Sequence, residues 1–450
     1  MEFSFFKCNP TPRMSTTTIG SPLAPSRARA SDAARPVFAM ATRFNSAAPM
    51  RALIFAILAL ASVSVRADLA VTAELVAPEL DVSPRAVDAH DDVAFVVGDG
   101  VVAVTAKDPA APRVLASLTD HRLLGCAGVT AYRSPEGKRR LAVACAGSAS
   151  AVVVDAEDPA AGLAILGSVS DPTALSGASS IVVRDALAFV AASGVARVVS
   201  LDVSSETNPR ILSFVKLSAA DDVSLAPDNH VVVGAGAKHG GGRVTVLSYV
   251  PSGVLMKVGS IKDGRLEGAV SVLRPHPVDP NITLAVSAAE GGSFLVVNGT
   301  TRARPTIVAA LQAAGRAAAS VPLNDDGSDS EAWNPNGHKS LGGARALAVA
   351  ENGVAYVLGS AASAVSAIDA TDANKPRVAR KISDPRLGGL SDLCATGPRG
   401  ASSKGDDAAG AAAAKKGGPA TVVAVAQEGS RVVVLRDAGE TAAATVKNEL

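Results

Sequence analysis

The chain has 450 residues, 48% hydrophobic and 19% charged, enough for one large domain or two to three ordinary ones and too apolar to be disordered throughout. Its net charge of +1 hides an asymmetry: residues 1–67 carry eight Lys/Arg against two Asp/Glu, so residues 68–450 carry 35 against 40. This mildly acidic body has no basic run, and six of the ten Phe precede residue 56, which argues against nucleic acid as the main partner.

The first 67 residues read as an address. Residues 1–49 are rich in Ser, Thr, Pro, Ala and Arg. Met50-Arg51 then precedes a 14-residue apolar stretch, Ala52–Val65, and Val65-Arg66-Ala67 places small residues at −3 and −1 before Asp68. A basic start, an apolar core and a small-residue cleavage site make a secretory signal peptide within 50–67. Both starts stay open. Initiation at Met50 puts the signal at the N terminus. Initiation at Met1 makes 1–49 a transit-like extension, or the apolar stretch a signal-anchor, although a span needs about 20 residues. Nothing after residue 67 is apolar for long enough to cross a bilayer, so the mature chain is expected to have no transmembrane span.

Three features bear on compartment. Asn281-Ile-Thr and Asn298-Gly-Thr are glycosylation sequons. The chain ends Lys447-Asn448-Glu449-Leu450, which is similar to the Lys-Asp-Glu-Leu retention signal with Asn for Asp. Cys126 and Cys145 flank a predicted hairpin turning near Ser134–Gly137. With Tyr132 opposite Arg140, residue 126 falls opposite 146, one position from Cys145. A cross-strand disulfide and two buried thiols are both compatible with that spacing. The expected place is the lumen of the endoplasmic reticulum, with secretion or the cell surface as alternatives.

From residue 69 onward one unit repeats. Leu69–Leu75 reads as an isolated strand. Seven Val-rich runs follow, ending at Thr105, Asp155, Asp202, Ser248, Asn298, Asp369 and Arg436, and each is preceded at constant offset by a second apolar run such as Val93–Val97 or Leu187–Val190. β-Branched and small residues broken by Gly, Asp, Asn or Pro are strand signals. Long helical periodicity is absent, apart from the Ala-rich end of 305–319, which is compatible with a short helix. Four strands per unit and seven units predict an all-β fold, a seven-bladed β-propeller of four-stranded antiparallel blades, spanning 68–450. Either Leu69–Leu75 or Thr441–Val446 supplies the strand that completes the last blade.

The best units read Val-Val-Val-Asp155-Ala-Glu-Asp158-Pro159, Val-Ser-Leu-Asp202 running to Asn208-Pro209, and Ala-Ile368-Asp369 running to Asn374-Lys-Pro376. This unit resembles the LVIVD-repeat family, over about residues 80–436. The resemblance implies a seven-bladed propeller, mostly in secreted or surface proteins, and carries no shared catalytic residues. The repeated Asp155, Asp202 and Asp369 are expected to accept backbone N–H groups of the turns they begin rather than to ring a metal.

Two insertions interrupt the repeat. The segment near 313–343 carries Asp325, Asp326, Asp329, Glu331, Trp333 and His338, and is expected on the face where blades connect. A loop-borne Trp beside acidic residues is a candidate contact for a protein partner. The acidic spacing does not match a calcium loop, and no metal or cofactor is expected. The segment 396–419 is Gly/Ala/Lys/Asp low complexity. Asp120, Asp171, Asp263 and Asp384, which follow the outermost strands, either make an acidic rim or start turns. No nucleophile elbow or metalloprotease motif is present. The sequence favours a non-enzymatic binding or scaffold propeller of the secretory pathway, contacting its partner through the 313–343 face. The alternative is a propeller hydrolase or lactonase with a site at the channel mouth. Oligomeric state is not legible.

Overall fold

The computed structural model describes residues 69–438, apart from 77–79, 81, 237–241, 267–269, 277, 288–291, 314–337, 351–353, 397–419 and 428. The chain divides into two units, 1–63 and 64–450, and every described residue belongs to the second.

Seven four-stranded antiparallel sheets form the seven blades of a β-propeller. Blades 1 to 6 use consecutive strands of 86–118, 126–170, 178–216, 222–262, 270–312 and 344–383. Their first strands touch one another in sequence around a ring, so the first strand of each blade is innermost and the fourth outermost. The Val-rich runs are the third strands and the runs before them the second. Each unit end read from the sequence opposes the first or second residue of a second strand, as Asp155 opposes Arg140, Asp202 opposes Leu187 and Asp369 opposes Val354.

Blade 7 decides how the ring closes. Asp392–Thr396, Ala420–Ala426 and Arg431–Asp437 are its inner three strands, and Leu69–Val76 is the outer one. Leu69 pairs with Asp437 and Val76 with Arg431. The Thr72 hydroxyl donates to Val434 O at 3.1 Å or Pro109 O at 2.7 Å, bridging blade 7 to the turn of blade 1. The N-terminal strand therefore closes the propeller and covers an edge that would otherwise invite pairing. The competing segment 441–446 lies outside the described residues.

Burial explains the composition. Side chains on alternate positions of one strand enter opposite seams. In blade 1, Ala94, Val96, Val102 and Val104 pack toward blade 7, whereas Phe95, Val97, Val101 and Ala103 pack toward blade 2, and all eight are fully buried. Similar apolar clusters fill the other five seams. A sheet buried on both faces needs continuous apolar runs, and close stacking favours Val and Ala over aromatics. Each fully buried Val or Leu contributes about 1.5–3 kcal/mol. Gly128 marks one close approach of two inner strands: a Cβ there would stand 2.6 Å from Ser180 Cα on blade 3.

The structure sharpens two local readings. Thr306–Gln312, the start of the 305–319 stretch, is the outer strand of blade 5 and covers that blade, whereas the Ala-rich end at 314–319 lies outside the described residues. Tyr132 does oppose Arg140, but a bulge between Cys126 and Gly128 shifts the register by one, so Cys126 opposes Cys145 and the two form a disulfide. No helix among the described residues is long and apolar enough to cross a membrane.

Removing residues 69–76 from a chain spanning 68–450 should lower Tm by at least several degrees and promote association, since it uncovers the third strand of blade 7. An unchanged melting curve by circular dichroism would mean that the strand is dispensable for closure.

Candidate functional site

The innermost strands decide what faces the axis. Their N–H groups on the axial edge have no partner strand, and a buried donor without an acceptor costs about 1–3 kcal/mol. Side chains of the preceding blade supply several acceptors. Asp392 of blade 7 accepts from Val87 N of blade 1 at 3.0 Å, and Asp222 of blade 4 accepts from Leu273 N of blade 5 at 2.6 Å. Ser180 of blade 3 accepts from Val223 N of blade 4 at 3.4 Å, and Asp88 of blade 1 from Ala131 N of blade 2 at 2.8 Å. Asp392, Asp222 and Ser180 occupy the same register position of their blades. A short polar side chain recurs there because only it reaches the next blade's backbone.

One position earlier, each inner strand presents an extra residue. Bulges occur at 127, 179, 271 and 345, where two residues oppose one of the second strand. In blades 1, 4 and 7 the residue before the strand plays the same part: Arg85, Asp221 and Ser391 donate their N–H to Val97, Gly234 and Val425, which also face the next residue. A bulge re-aims a side chain. Arg85, Ala127, Ser179, Asp221, Arg345 and Ser391 accordingly line one axial cavity of about 370 Å³, on the face where each blade connects to the next.

Deeper in this channel lie Asp222, Asp392 and Arg274. Asp222 is 6% exposed, and the Arg274 guanidinium stands 3.9 Å from it while donating to Leu273 O at 2.8 Å. Burial pushes the Asp222 carboxyl above the ordinary carboxylate range. Burial also pushes Asp392 up to about 6, opposed by the positive charge of Arg274 and by the N–H donors of Val87 and Leu393, and reinforced by Asp222. A carboxyl whose folded pKa is raised binds its proton more tightly when folded, so its contribution to stability is full near pH 4 and is lost as pH rises to about 6.

The rim residues resolve into turns. Asp120, Asp263 and Asp384 accept the N–H of the residue two ahead at 2.8, 2.9 and 2.8 Å. Both oxygens of each are also held by the Arg at that position, Arg122, Arg265 and Arg386, at 2.7–3.0 Å. Hydrogen bonds from Arg122 hold the Asp120 carboxyl well below its usual range. Asp171 caps a short helix through Thr173 and Ala174. The rim is thus three Asp-x-Arg turns, whose charges are paired, and one Asp helix cap rather than an acidic ring. On the opposite face, Asp155, Asp202 and Asp369 accept N–H groups of Glu157, Ser204 and Thr371, and Arg210 and Arg377 pair with the last two at 2.9 and 3.0 Å.

The other sequence candidates divide. Asp325, Asp326, Asp329, Glu331 and Trp333 lie outside the described residues, as do Lys447, Asn448, Glu449 and Leu450. His338 is half-buried and donates its N–H to Gln312 O at 2.9 Å, so the insertion leaves and rejoins the barrel of blades at one point on the channel-mouth face. Burial, aided by Lys381, lowers the His338 pKa. Asn281 and Asn298 sit side by side on the opposite face: Gly299 N donates to Asn281 O at 2.8 Å, Arg302 donates to Asn281 Oδ1 at 3.0 Å, and Thr300 N donates to Asn298 Oδ1 at 2.8 Å. Sequence reasoning missed Arg85, Asp221, Arg274, Arg345 and Asp392. Aligning the units on their second strands and reading the inner-strand position one before Ser180, Asp222 and Asp392 would have found three of the five, Arg85, Asp221 and Arg345.

These features define a seven-bladed propeller with a polar axial channel. Solved structures agree on the fold. A hydrazine synthase chain from Kuenenia stuttgartiensis is similar with a TM-score of 0.54 and 15% identity, covering 80% of this chain and 97% of its own. Virginiamycin B lyase from Staphylococcus aureus gives 0.51 and 10%, covering 81% and 98%, and a Lactobacillus plantarum protein gives 0.50 and 13%, covering 67% and 84%. At such identities the likeness establishes the fold alone. No family model and no curated protein matches the sequence.

Replacing Asp392 by Asn keeps an acceptor for Val87 N and removes the buried charge. The variant should melt a few degrees above wild type at pH 8 and together with it near pH 4. Parallel Tm profiles across that range would show that Asp392 does not titrate in the raised range.

Proposed function

We propose that this chain is a non-enzymatic binding propeller of the secretory pathway, of the LVIVD-repeat kind, which presents its channel-mouth face to a protein partner. The observation that carries the reading is the anchoring of the 313–343 insertion. Its two ends are tied together at Gln312 and His338, and the chain then enters the inner strand of blade 6, whose Arg345 lines the mouth. The two ends of the segment that carries Trp333 and the acidic residues are therefore fixed at the outer strand of blade 5, on the channel-mouth face, which supports that face as the one presented to a partner.

Other features support the reading. The Cys126–Cys145 disulfide suits an oxidising compartment. The closing strand begins at Leu69, so cleavage after Ala67 leaves it intact. Both sequons lie on the face away from the mouth, where glycans leave the binding face free. The Asp turns of blades 2, 3 and 6 give the LVIVD-like unit a structural role. Asp88, Asp222 and Asp392 are engaged in joining blades, which favours binding over acid–base chemistry in the channel. The terminal Lys447–Leu450 would hold the protein in the endoplasmic reticulum.

A crosslinked pull-down of internally tagged protein from its own cells tests the site, comparing wild type with a variant whose residues 314–337 are replaced by a short Gly/Ser linker. Loss of a specific partner is expected; an identical partner set for both proteins would refute the assigned face. Deleting Lys447–Leu450 should move the protein into the medium, and unchanged intracellular retention would discard the retention signal.

A further inference from the structure

We propose that the channel mouth binds a small zwitterion, with its carboxylate between Arg85 and Arg345 and its ammonium group at Asp221. Around the ring, Arg345, Ser391 and Arg85 belong to adjacent blades 6, 7 and 1, and Asp221 belongs to blade 4 across the axis. The two arginines thus occupy one arc of the ring, and Asp221 lies across the axis from them. All three line the same cavity of about 370 Å³, at the small end of the range for ligand pockets and suited to one or two amino-acid residues.

What singles out these groups is unused bonding capacity. Arg122, Arg265 and Arg386 on the same face, and Arg210 and Arg377 on the other, each pair with a carboxylate at 3.0 Å or less. Among the described residues neither Arg85 nor Arg345 has an acidic partner. The Nε of Arg85 is also shut off from solvent without a hydrogen-bond acceptor. A donor shut off from water without an acceptor is a costly feature to keep, and the planar donors of a guanidinium match a carboxylate. Asp221 accepts from Gly236 N through Oδ2, which leaves Oδ1 for a donor from the channel. The deeper acids do not compete: Asp392 and Asp222 hold the backbone of the next blade, and Asp222 also faces Arg274. A simple anion would meet Asp221 unfavourably, whereas a zwitterion satisfies both arcs.

This inference stands apart from the protein-partner reading, because its groups lie on the inner strands and not in the 314–337 insertion. Isothermal titration of the mature protein at pH 7.5 tests it with three probes: diglycine, acetate and ethylammonium. Diglycine should bind saturably and at least about tenfold more tightly than acetate, and ethylammonium should give no saturable heat. Arg345→Gln, an exposed position outside the seams, should weaken diglycine about tenfold or more, and Arg85→Gln should do the same. Asp221→Asn should weaken diglycine while sparing acetate. Melting curves of the variants establish that each is folded, and Arg345→Gln keeps the test decisive if Arg85→Gln does not fold. Absence of saturable diglycine binding, equal affinity for acetate and diglycine, or full diglycine affinity in Arg345→Gln would each overturn the proposal.

Discussion

The structure depends on one constraint: every blade is buried on both faces, and its innermost strand has an edge with no strand beside it. The first half of the constraint is met by apolar packing. Val, Ala and Leu fill each seam from both sides, so each blade is stable only between neighbours. The second half is met by chemistry. Carboxylates and hydroxyls of one inner strand reach the N–H groups of the next, as Asp392 reaches Val87 and Asp222 reaches Leu273. The polar lining of the channel is thus partly the mortar of the ring, and closure by Leu69–Val76 leaves no blade without a partner.

That division of labour separates residues that hold the fold from residues free to meet a ligand. The acids of the channel wall and the Asp-x-Arg turns of the rim are satisfied within the protein. Arg85, Arg345 and Asp221 stand at bulged or flanking positions whose side chains the ladder does not use, and these residues line the axial cavity. The same face carries the tethered ends of the long insertion between blades 5 and 6. A rigid scaffold with unpaired groups at its mouth suits recognition, and the likeness to propellers bearing such different names as a hydrazine synthase and a lyase shows how little the scaffold alone dictates chemistry.

Much of the architecture was legible because the second and third strands are sandwiched. Their runs stay apolar at every position, so their ends could be matched from unit to unit, and the turn role of Asp155, Asp202 and Asp369 followed from the local chemistry of Asp. The inner strands were less legible. They are shorter or bulged, mix Asp, Ser, Thr and Arg with apolar residues, and vary from blade to blade, so nothing in one unit announces that its neighbour lies beside it. The disulfide shows the effect in miniature. The correct pairing of Tyr132 with Arg140 put residue 126 opposite 146, and the bulge at 127 then moved Cys126 onto Cys145. The strand at Thr306–Gln312 was obscured by alanines that favour a helix locally but cover the edge of blade 5 in place.

By itself the sequence determined the all-β class, the seven units, the strands within them and the turn chemistry, since these rest on contacts within a strand or across one turn. Only the tertiary structure decided which terminus closes the ring, which cysteines meet, and which inner-strand positions line one axial cavity. Those outcomes depend on groups separated by tens to hundreds of residues, such as Leu69 and Asp437 or Arg85 and Arg345, whose proximity follows from the circular order of the blades.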